Sequence, residues 1–208
     1  MPSTTRRTAL SVAAALLTGA AGCSGETSSE SSYPSESTGN IAMDPEWRRL
    51  RRSDRGPLLW TGERPTTTDG EVRIHTRGNF FVTSADEVAN VGIAAVDGAD
   101  TARAFLEETD YDSATVYVEH SSIRECFTTD LCHVEWSESD IKTSYAREYR
   151  DADVACETDA RDTLATLIRI PAAFDPTDIN GYGSSRGSAS CAVRNDHLRQ
   201  RRNESERR

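Results

Sequence analysis

The chain has 208 residues, of which 36% are hydrophobic and 28% charged, and this length accommodates one folded domain with flanking segments. Its net charge of −10 is unevenly distributed, because residues 57–193 contain 25 Asp and Glu but 11 Lys and Arg, whereas residues 48–55 and 194–208 are basic. So acidic a segment repels phosphate groups, and we therefore expect no nucleic-acid partner.

The first 23 residues have the organisation of an export signal. Arg6 and Arg7 precede an apolar stretch, residues 8–22, that ends in small residues before Cys23. As a helix this stretch would span about 22 Å, which is less than the roughly 30 Å hydrocarbon core of a membrane. A permanent transmembrane helix is therefore disfavoured, and we interpret residues 1–22 as a signal peptide.

Two short sequences in this leader resemble known export and anchoring signals. The sequence AAGC, which ends at Cys23, is similar to the lipobox of prokaryotic lipoproteins, with Ala20 where Leu is usual. The sequence TRRTAL around Arg6 and Arg7 resembles a twin-arginine signal, with Ala9 where an aromatic residue or Leu is usual. The resemblance implies that Cys23 carries a lipid and anchors the chain on the extracytoplasmic face of the cell membrane. An ordinary signal peptide with an accidental cysteine is the alternative.

Arginine and carboxylates dominate the charged residues. Lys142 is the only lysine beside 23 arginines, and carboxylates are in large excess. This balance resembles that of secreted lipoproteins of halophilic archaea. At high salt, screening offsets the self-repulsion of such an acidic surface. A GC-rich genome that favours arginine codons is the alternative explanation. Neither resemblance identifies a family for the folded part of the chain.

The segment after the leader predicts a tether and then a short basic helix. Residues 23–43 begin at lipidated Cys23 and are rich in Ser and Glu, a composition typical of a flexible coil. Residues 44–56 predict a basic helical turn, with Asp44 as N-cap and Pro45 at the first helical position. Its arginines would either face an anionic membrane surface or pack on the domain.

Residues 57–193 predict a β-rich globular domain, and residues 194–208 a flexible Arg-rich tail. Alternation of apolar and polar residues indicates the strands, which are predicted at residues 71–83, 114–120, 131–136, 141–149 and 162–171. The third and fourth of these should form a hairpin.

One helix is predicted after Asp100, its cap, with Ala102, Phe105 and Leu106 on one face, and a second short helix is expected after Ser84. The fold class is therefore mainly β (α+β), an antiparallel sheet or a β-sandwich with one or two short helices.

Four cysteines besides Cys23 predict two disulfides in an exported protein, and they are Cys126, Cys132, Cys156 and Cys191. Three pairings are open, and we favour Cys126–Cys132, bridging the loop between two adjacent strands, with Cys156–Cys191. A metal site formed by Cys126, Cys132 and His133 is the alternative. It is disfavoured because neighbouring residues of a strand point to opposite faces of the sheet.

The sequence contains neither G-x-S-x-G nor H-E-x-x-H, and no catalytic residue is assigned. The acidic runs at residues 107–112 and 151–153 lack the spacing of a calcium-binding loop, so no metal or cofactor is expected. Residues 180–188, NGYGSSRGS, are interpreted as an ordinary loop because no strand is predicted before them. His75 is interpreted as a surface histidine, and neither His120 nor His197 has an evident partner.

These features predict a lipid-anchored extracytoplasmic binding or interaction module. Its partners would be the membrane, through the lipid on Cys23, and a protein or small molecule that the sequence does not identify. One alternative is a cell-envelope structural or assembly factor that binds through its basic flanks. The other is an enzyme without a recognisable motif.

Overall fold

The computed structural model describes residues 39–54, 56–65 and 78–207. The strands in these ranges are β1 (Asn40–Met43), β2 (Trp47–Arg52), β3 (Leu59–Thr61), β4 (Phe80–Val82), β5 (Val91–Ile93), β6 (Thr115–Arg124), β7 (Phe127–Trp136), β8 (Asp140–Tyr149), β9 (Arg161–Ile170) and β10 (Gly181–Gly187). The helices are α1 (Ala85–Val88), α2 (Ala99–Glu107), α3 (Cys191–Ser205) and a 3₁₀ helix, Pro176–Asp178. No helix in the described ranges is long and apolar enough to cross a membrane.

Two four-stranded sheets face each other as a sandwich. The first sheet has the strand order β1-β7-β8-β10, and the second has the order β2-β9-β6-β4. Neighbouring strands are antiparallel except β10, which runs parallel to β8. A separate antiparallel ribbon consists of β3 and β5. The mainly β fold predicted from the sequence is confirmed, and its form is a sandwich.

Apolar side chains pack against both faces of the second sheet. Between the sheets, Tyr117 and Ile168 of the second sheet meet Val134 and Ile141 of the first. On the other face, α1, α2 and the β3-β5 ribbon pack against Val116, Val118, Leu167 and their neighbours. Strands β6 and β9 are therefore buried on both faces, which explains the nearly continuous apolar run in β9.

Several predicted elements are confirmed in place. Strands β6, β7, β8 and β9 lie at the predicted residues 114–120, 131–136, 141–149 and 162–171, and β7 and β8 form the expected hairpin. Both β6 and β7 extend four residues further than predicted towards the connection between them. Helix α1 begins after Ser84, whose hydroxyl accepts from the Glu87 amide. The apolar face of α2 is buried as predicted, but Asp100 does not cap it: the helix follows Gly98, whose φ of 83° favours glycine.

Residues 44–56 do not form the predicted helix, because strand β2 occupies most of this segment and pairs with β9. Asp44 lies in the turn between β1 and β2 with a φ of 50° instead of capping a helix. Trp47 and Leu50 are three residues apart, a spacing that would place them on one face of a helix. In the strand they point to opposite faces, Trp47 between the sheets and Leu50 towards α2. Residues 40–43, assigned to the tether, form strand β1.

The tail predicted as flexible from residue 194 belongs largely to helix α3. This helix lies against the first sheet and buries Asn195 and Leu198. A disulfide joins Cys191, its first residue, to Cys132 of β7. The charged composition of the segment concealed the helix, because few of its side chains are buried.

Residues 180–188, interpreted as an ordinary loop, contain strand β10. A Cβ atom at Gly181 would overlap the Asp140 side chain, so this glycine reflects close packing on β8 rather than a turn. The predicted strand at residues 71–83 lies partly outside the described residues, and its described part contains β4.

Arg51 of β2 connects the two sheets. Its guanidinium donates to the carbonyl oxygens of Glu125 (2.6 Å), in the connection from β6 to β7, and of Phe127 (2.9 Å), the first residue of β7. It also forms an ion pair with Asp162 of β9, a residue that is 5% exposed. A carboxylate this deeply buried depends on its cation, because the uncompensated charge is costly in the interior.

We expect Arg51→Met to lower the free energy of unfolding by about 3 kcal/mol, because it leaves the Asp162 carboxylate without its cation. Urea denaturation measures this loss. Arg48→Met is the matched control, since the Arg48 guanidinium donates to the Trp47 carbonyl and lies over the Phe105 ring. It should lose about 1 kcal/mol or less. Equal losses in the two variants would contradict the bridging role of Arg51.

Candidate functional site

Glu119 of β6 places a carboxylate inside the sandwich, where the residue is 4% exposed. Its Oε2 atom accepts hydrogen bonds from the hydroxyls of Tyr145 (2.7 Å) and Thr143 (2.8 Å) of β8. Its Oε1 atom accepts from Nη2 of Arg186 on β10 (2.9 Å). These four residues, which we call the carboxylate cluster, join the second sheet to two strands of the first.

Burial reinforces the protonated state of Tyr145. It raises the pKa of the hydroxyl well above the usual tyrosine value, and the charge of Glu119 raises it further. The hydroxyl therefore stays protonated and able to donate. The Arg186 guanidinium also lies over the Tyr145 ring, 5.1 Å from its centroid. A buried carboxylate is stable only with donors and a cation of this kind.

Aromatic residues continue from this cluster to the side of the sandwich where β4 and β10 are the edge strands. Tyr117 of β6 stacks on Tyr182 of β10, with ring centroids 6.3 Å apart, and Phe81 of β4 lies 4.9 Å from Tyr117. The Tyr117 hydroxyl accepts from Nδ2 of Asn79 (2.8 Å), and burial raises its pKa. Tyr182 is 40% exposed. We call Phe81, Tyr117 and Tyr182 the aromatic edge.

This arrangement is suited to binding. Both oxygens of the Glu119 carboxylate are bonded within the protein, so the cluster fixes the position of β10 rather than supplying a free acid or base. The groups that reach solvent here are the Tyr182 ring and most of β10. An exposed edge strand offers backbone donors and acceptors to a partner.

The four cysteines of the described ranges form two disulfides, Cys126–Cys156 and Cys132–Cys191. Closing loops of 30 and 59 residues contributes roughly 4 kcal/mol each in the chain-entropy model. The first joins the β6–β7 connection to the segment before β9. The second joins β7 to α3.

The predicted pairing of Cys126 with Cys132, and of Cys156 with Cys191, is wrong. This pairing requires a loop between Cys126 and Cys132, but the segment is almost entirely strand β7. A strand rises about 3.3 Å per residue, which separates these two cysteines by roughly 20 Å, far beyond disulfide reach. A bulge between Leu131 and His133 lets Leu131 join the sandwich core while Cys132 meets Cys191.

His133 is a buried contact for α3. One ring nitrogen, Nδ1, lies 2.7 Å from Oδ1 of Asn195, and the Asn195 amide donates to the Cys132 carbonyl (3.3 Å). Cys132 itself is oxidised, so the alternative of a Cys and His metal site loses its thiolate. Within the described ranges, no group of three or more His, Cys, Asp or Glu side chains is placed to hold a metal ion.

The remaining predicted positions are dispersed. Cys23, Arg6, Arg7 and His75 lie outside the described residues. His197 is exposed on α3. In the acidic run after α2, the Asp110 carboxylate accepts from the Asp112 amide and the Ser113 hydroxyl, which makes it part of a local turn.

The basic segment before residue 55 is engaged inside the protein. Arg49 donates to the Thr129 carbonyl, and burial lowers its pKa. Arg51 bridges the two sheets through the Glu125 and Phe127 carbonyls. Arg52 donates to the Pro57 carbonyl (3.0 Å) and pairs with Asp54. These contacts favour packing on the domain over a membrane contact.

Neither Glu119 nor Arg186 is predicted as a site residue from the sequence. A signal for Glu119 existed, since it lies two residues from Tyr117 in a strand and so shares its buried face. No such signal existed for Arg186, because the loop interpretation of residues 180–188 hid β10.

The structure places both ring nitrogens of His120 in the interior without a hydrogen bond to any described residue. Backbone groups of Gly78 and Leu59 lie close to the ring, yet burial dominates and lowers the pKa of His120. The folded protein therefore favours the neutral ring.

We expect Glu119→Gln to lower the free energy of unfolding by about 1–3 kcal/mol, because the amide cannot pair with Arg186 and presents an unmatched donor to Tyr145 or Thr143. Urea denaturation measures the loss. Glu148→Gln, at an exposed position near the end of β8, is the control and should stay within about 0.5 kcal/mol of the wild type. A neutral effect at Glu119 would contradict a structural role for the carboxylate cluster.

We expect protonation of His120 to destabilise the fold below pH about 6.5. A histidine whose pKa is lowered in the folded state stabilises it above the unfolded pKa, and this contribution is lost as pH falls towards the folded pKa. In thermal melts from pH 7 to pH 5, His120→Gln should therefore lose less stability on acidification than the wild type. Parallel pH profiles would show that His120 does not contribute.

The carboxylate cluster, the aromatic edge and the open strand β10 thus form one continuous region at one side of the sandwich. No family model, curated protein or solved structure matches the chain.

Proposed function

We propose that this chain is a lipid-anchored extracytoplasmic binding module, in which lipidated Cys23 holds the β-sandwich at the outer face of the cell membrane. The observation that carries the proposal is the pairing of the other four cysteines in two disulfides. Disulfides form and persist in oxidising compartments and are rare in the cytoplasm. The pairing therefore supports a folded body that works outside the cytoplasm.

The sequence supports Cys23 as the anchor. Of the five cysteines, it alone is left for another reaction once the two disulfides have formed. It follows Ala20, Ala21 and Gly22, small residues similar to those of a lipobox, and a charged and apolar leader precedes them. A single acyl chain binds membranes weakly, so a stable anchor would carry more than one chain.

Binding is better supported than catalysis by the described residues. The buried Glu119 carboxylate is occupied by Thr143, Tyr145 and Arg186 and has no open side for a substrate. Strand β10 is exposed, and its backbone is the group most available to a partner. The chemistry that fits such an edge is an extended polypeptide segment, which would add to the first sheet as a further strand.

An envelope assembly factor acting through basic flanks has less support. One flank would consist of the arginines of β2. These arginines instead form hydrogen bonds and ion pairs with carbonyl groups and carboxylates of the protein itself. In α3, the exposed Arg199 forms an ion pair with Asp196 of the same helix.

Intact-mass analysis of the full chain purified from membranes of its native host tests the proposal. We expect a protein that begins at Cys23, carries the added mass of lipid on that residue, and exposes no reactive thiol before reduction. Cys23→Ser should shift the protein from the membrane fraction to the soluble fraction or stop its processing.

Ser24→Ala is the matched control, because it alters the neighbouring residue and leaves the cysteine in place. It should behave like the wild type. A mass corresponding to residues 1–208 with five free thiols would overturn both the anchor and the extracytoplasmic location.

A further inference from the structure

Strand β10 ends the first sheet, and its outer edge has no partner in the described part of the chain. The Gly181 amide donates to the Ser139 carbonyl (2.9 Å), so Gly181 directs its backbone groups towards β8. Because these directions alternate along a strand, the amides and carbonyls of Tyr182, Ser184 and Arg186 point outwards. The edge therefore presents three residues whose backbone groups can form hydrogen bonds with a further strand.

Nothing in β10 protects this edge. Proteins usually block an open edge with Lys, Pro, a bulge or an inward-pointing charge that disfavours pairing. Strand β10 has the sequence GYGSSRG, and its one charged side chain, Arg186, is held by Glu119. Its pairing with β8 is regular over all seven residues.

Two opposite charges lie at the ends of β10 on one face of the sheet. The Asp140 carboxylate fills the space where a Cβ atom at Gly181 would lie, and the Arg194 guanidinium fills the corresponding space at Gly187. Neither group has an ion-pair partner among the described residues. Arg194 donates instead to the Ser144 hydroxyl (3.0 Å).

These positions are symmetric about Ser184, since Gly181 precedes it by three residues and Gly187 follows it by three. We propose that two copies of this chain pair through β10, antiparallel, around a two-fold axis at Ser184. The two first sheets then form one continuous sheet. A two-fold interface is isologous, so every contact is made twice.

The two-fold axis at Ser184 fixes which residues of the two β10 strands lie opposite each other. Gly181 lies opposite the partner's Gly187, which brings Asp140 towards the partner's Arg194. Opposed positions in an antiparallel pair are about 5 Å apart at Cβ, within reach of an ion pair. Tyr182 lies opposite the partner's Arg186, which places the half-exposed ring beside a guanidinium. The outward backbone groups of Tyr182, Ser184 and Arg186 all find partners.

A second copy fits this edge better than an unrelated extended peptide, because the strand carries both halves of the charge pattern at equal distances from its centre. The net charge of −10 on each chain opposes approach at long range. Salt screens that repulsion over about 10 Å or less, so we expect association to strengthen between low and moderate salt.

This inference deepens the proposed binding function, but it does not require the anchor. Light scattering after size-exclusion chromatography, on the full chain extracted in detergent, measures the protein mass in the complex. We expect a dimer for the wild type. Asp140→Arg and Arg194→Asp should each weaken dimerisation at least about ten-fold, because each places like charges opposite one another at two symmetric points.

The sharpest result comes from mixing the two single variants. In the mixture, the Arg introduced by Asp140→Arg lies opposite the Asp introduced by Arg194→Asp. The unchanged Arg194 of the first chain lies opposite the unchanged Asp140 of the second. Both contacts therefore join opposite charges. The mixture should therefore form a heterodimer, and the double variant should form a homodimer. Arg199→Asp, on the same helix but paired with Asp196, is the control and should dimerise like the wild type.

Ser184→Pro tests the backbone ladder, since it removes an outward amide at the axis, and Ser184→Ala keeps that amide. We expect a monomer for the first and a dimer for the second, with the native circular dichroism spectrum checked for both.

A monomeric wild type at every salt concentration would overturn the proposal. So would single charge variants that dimerise normally, or a mixture that stays monomeric. A lipidated, disulfide-bonded monomer would leave the anchor proposal standing.

Discussion

Hydrogen bonds from arginine side chains to backbone carbonyls hold the layers of this protein together. Arg51 donates to the carbonyls of Glu125 and Phe127 and so joins the two sheets. Arg169 of β9 donates to the Phe105 carbonyl of α2 (3.1 Å), and Arg103 of α2 donates to that of Val91 (2.6 Å). A guanidinium has five donors in a rigid plane and can serve several carbonyls at once, which a lysine ammonium does less precisely. The preference for arginine, with 23 arginines beside one lysine, therefore contributes to holding the layers together.

Contacts in the interior also determine how strand β10 is presented at the surface. Strand β10, rich in glycine and serine, has little intrinsic preference for a strand. It is held by the bond between Arg186 and buried Glu119 and by the stacking of Tyr182 on Tyr117. Its glycines let it lie close to Asp140 and Arg194, whose side chains cover them. The same contacts that fix the strand leave its outer edge open and place opposite charges at its two ends.

Local sequence patterns predicted those strands and helices in which the residues of one face are all buried or all exposed. Strands β6 to β9 and the apolar face of α2 followed from periodicity, because burial on a pleated or helical surface repeats at a fixed spacing. The same rule failed at β2, where Arg49 and Arg51 are partly buried and donate to carbonyls far along the chain. It also failed at Cys132, where a bulge changes the side to which the residue points.

The sequence by itself determined the class of the fold, the helix at Ser84, the number of disulfides and the separation of acidic and basic segments, because each depends on composition or on residues close along the chain. Only the tertiary structure decided which cysteines pair, that α3 is ordered, and that Glu119 and Arg186 meet across 67 residues. These depend on how strands far apart in the sequence are brought together. The free energy of such contacts comes from burial and charge pairing between layers, and no local pattern records which layers will meet.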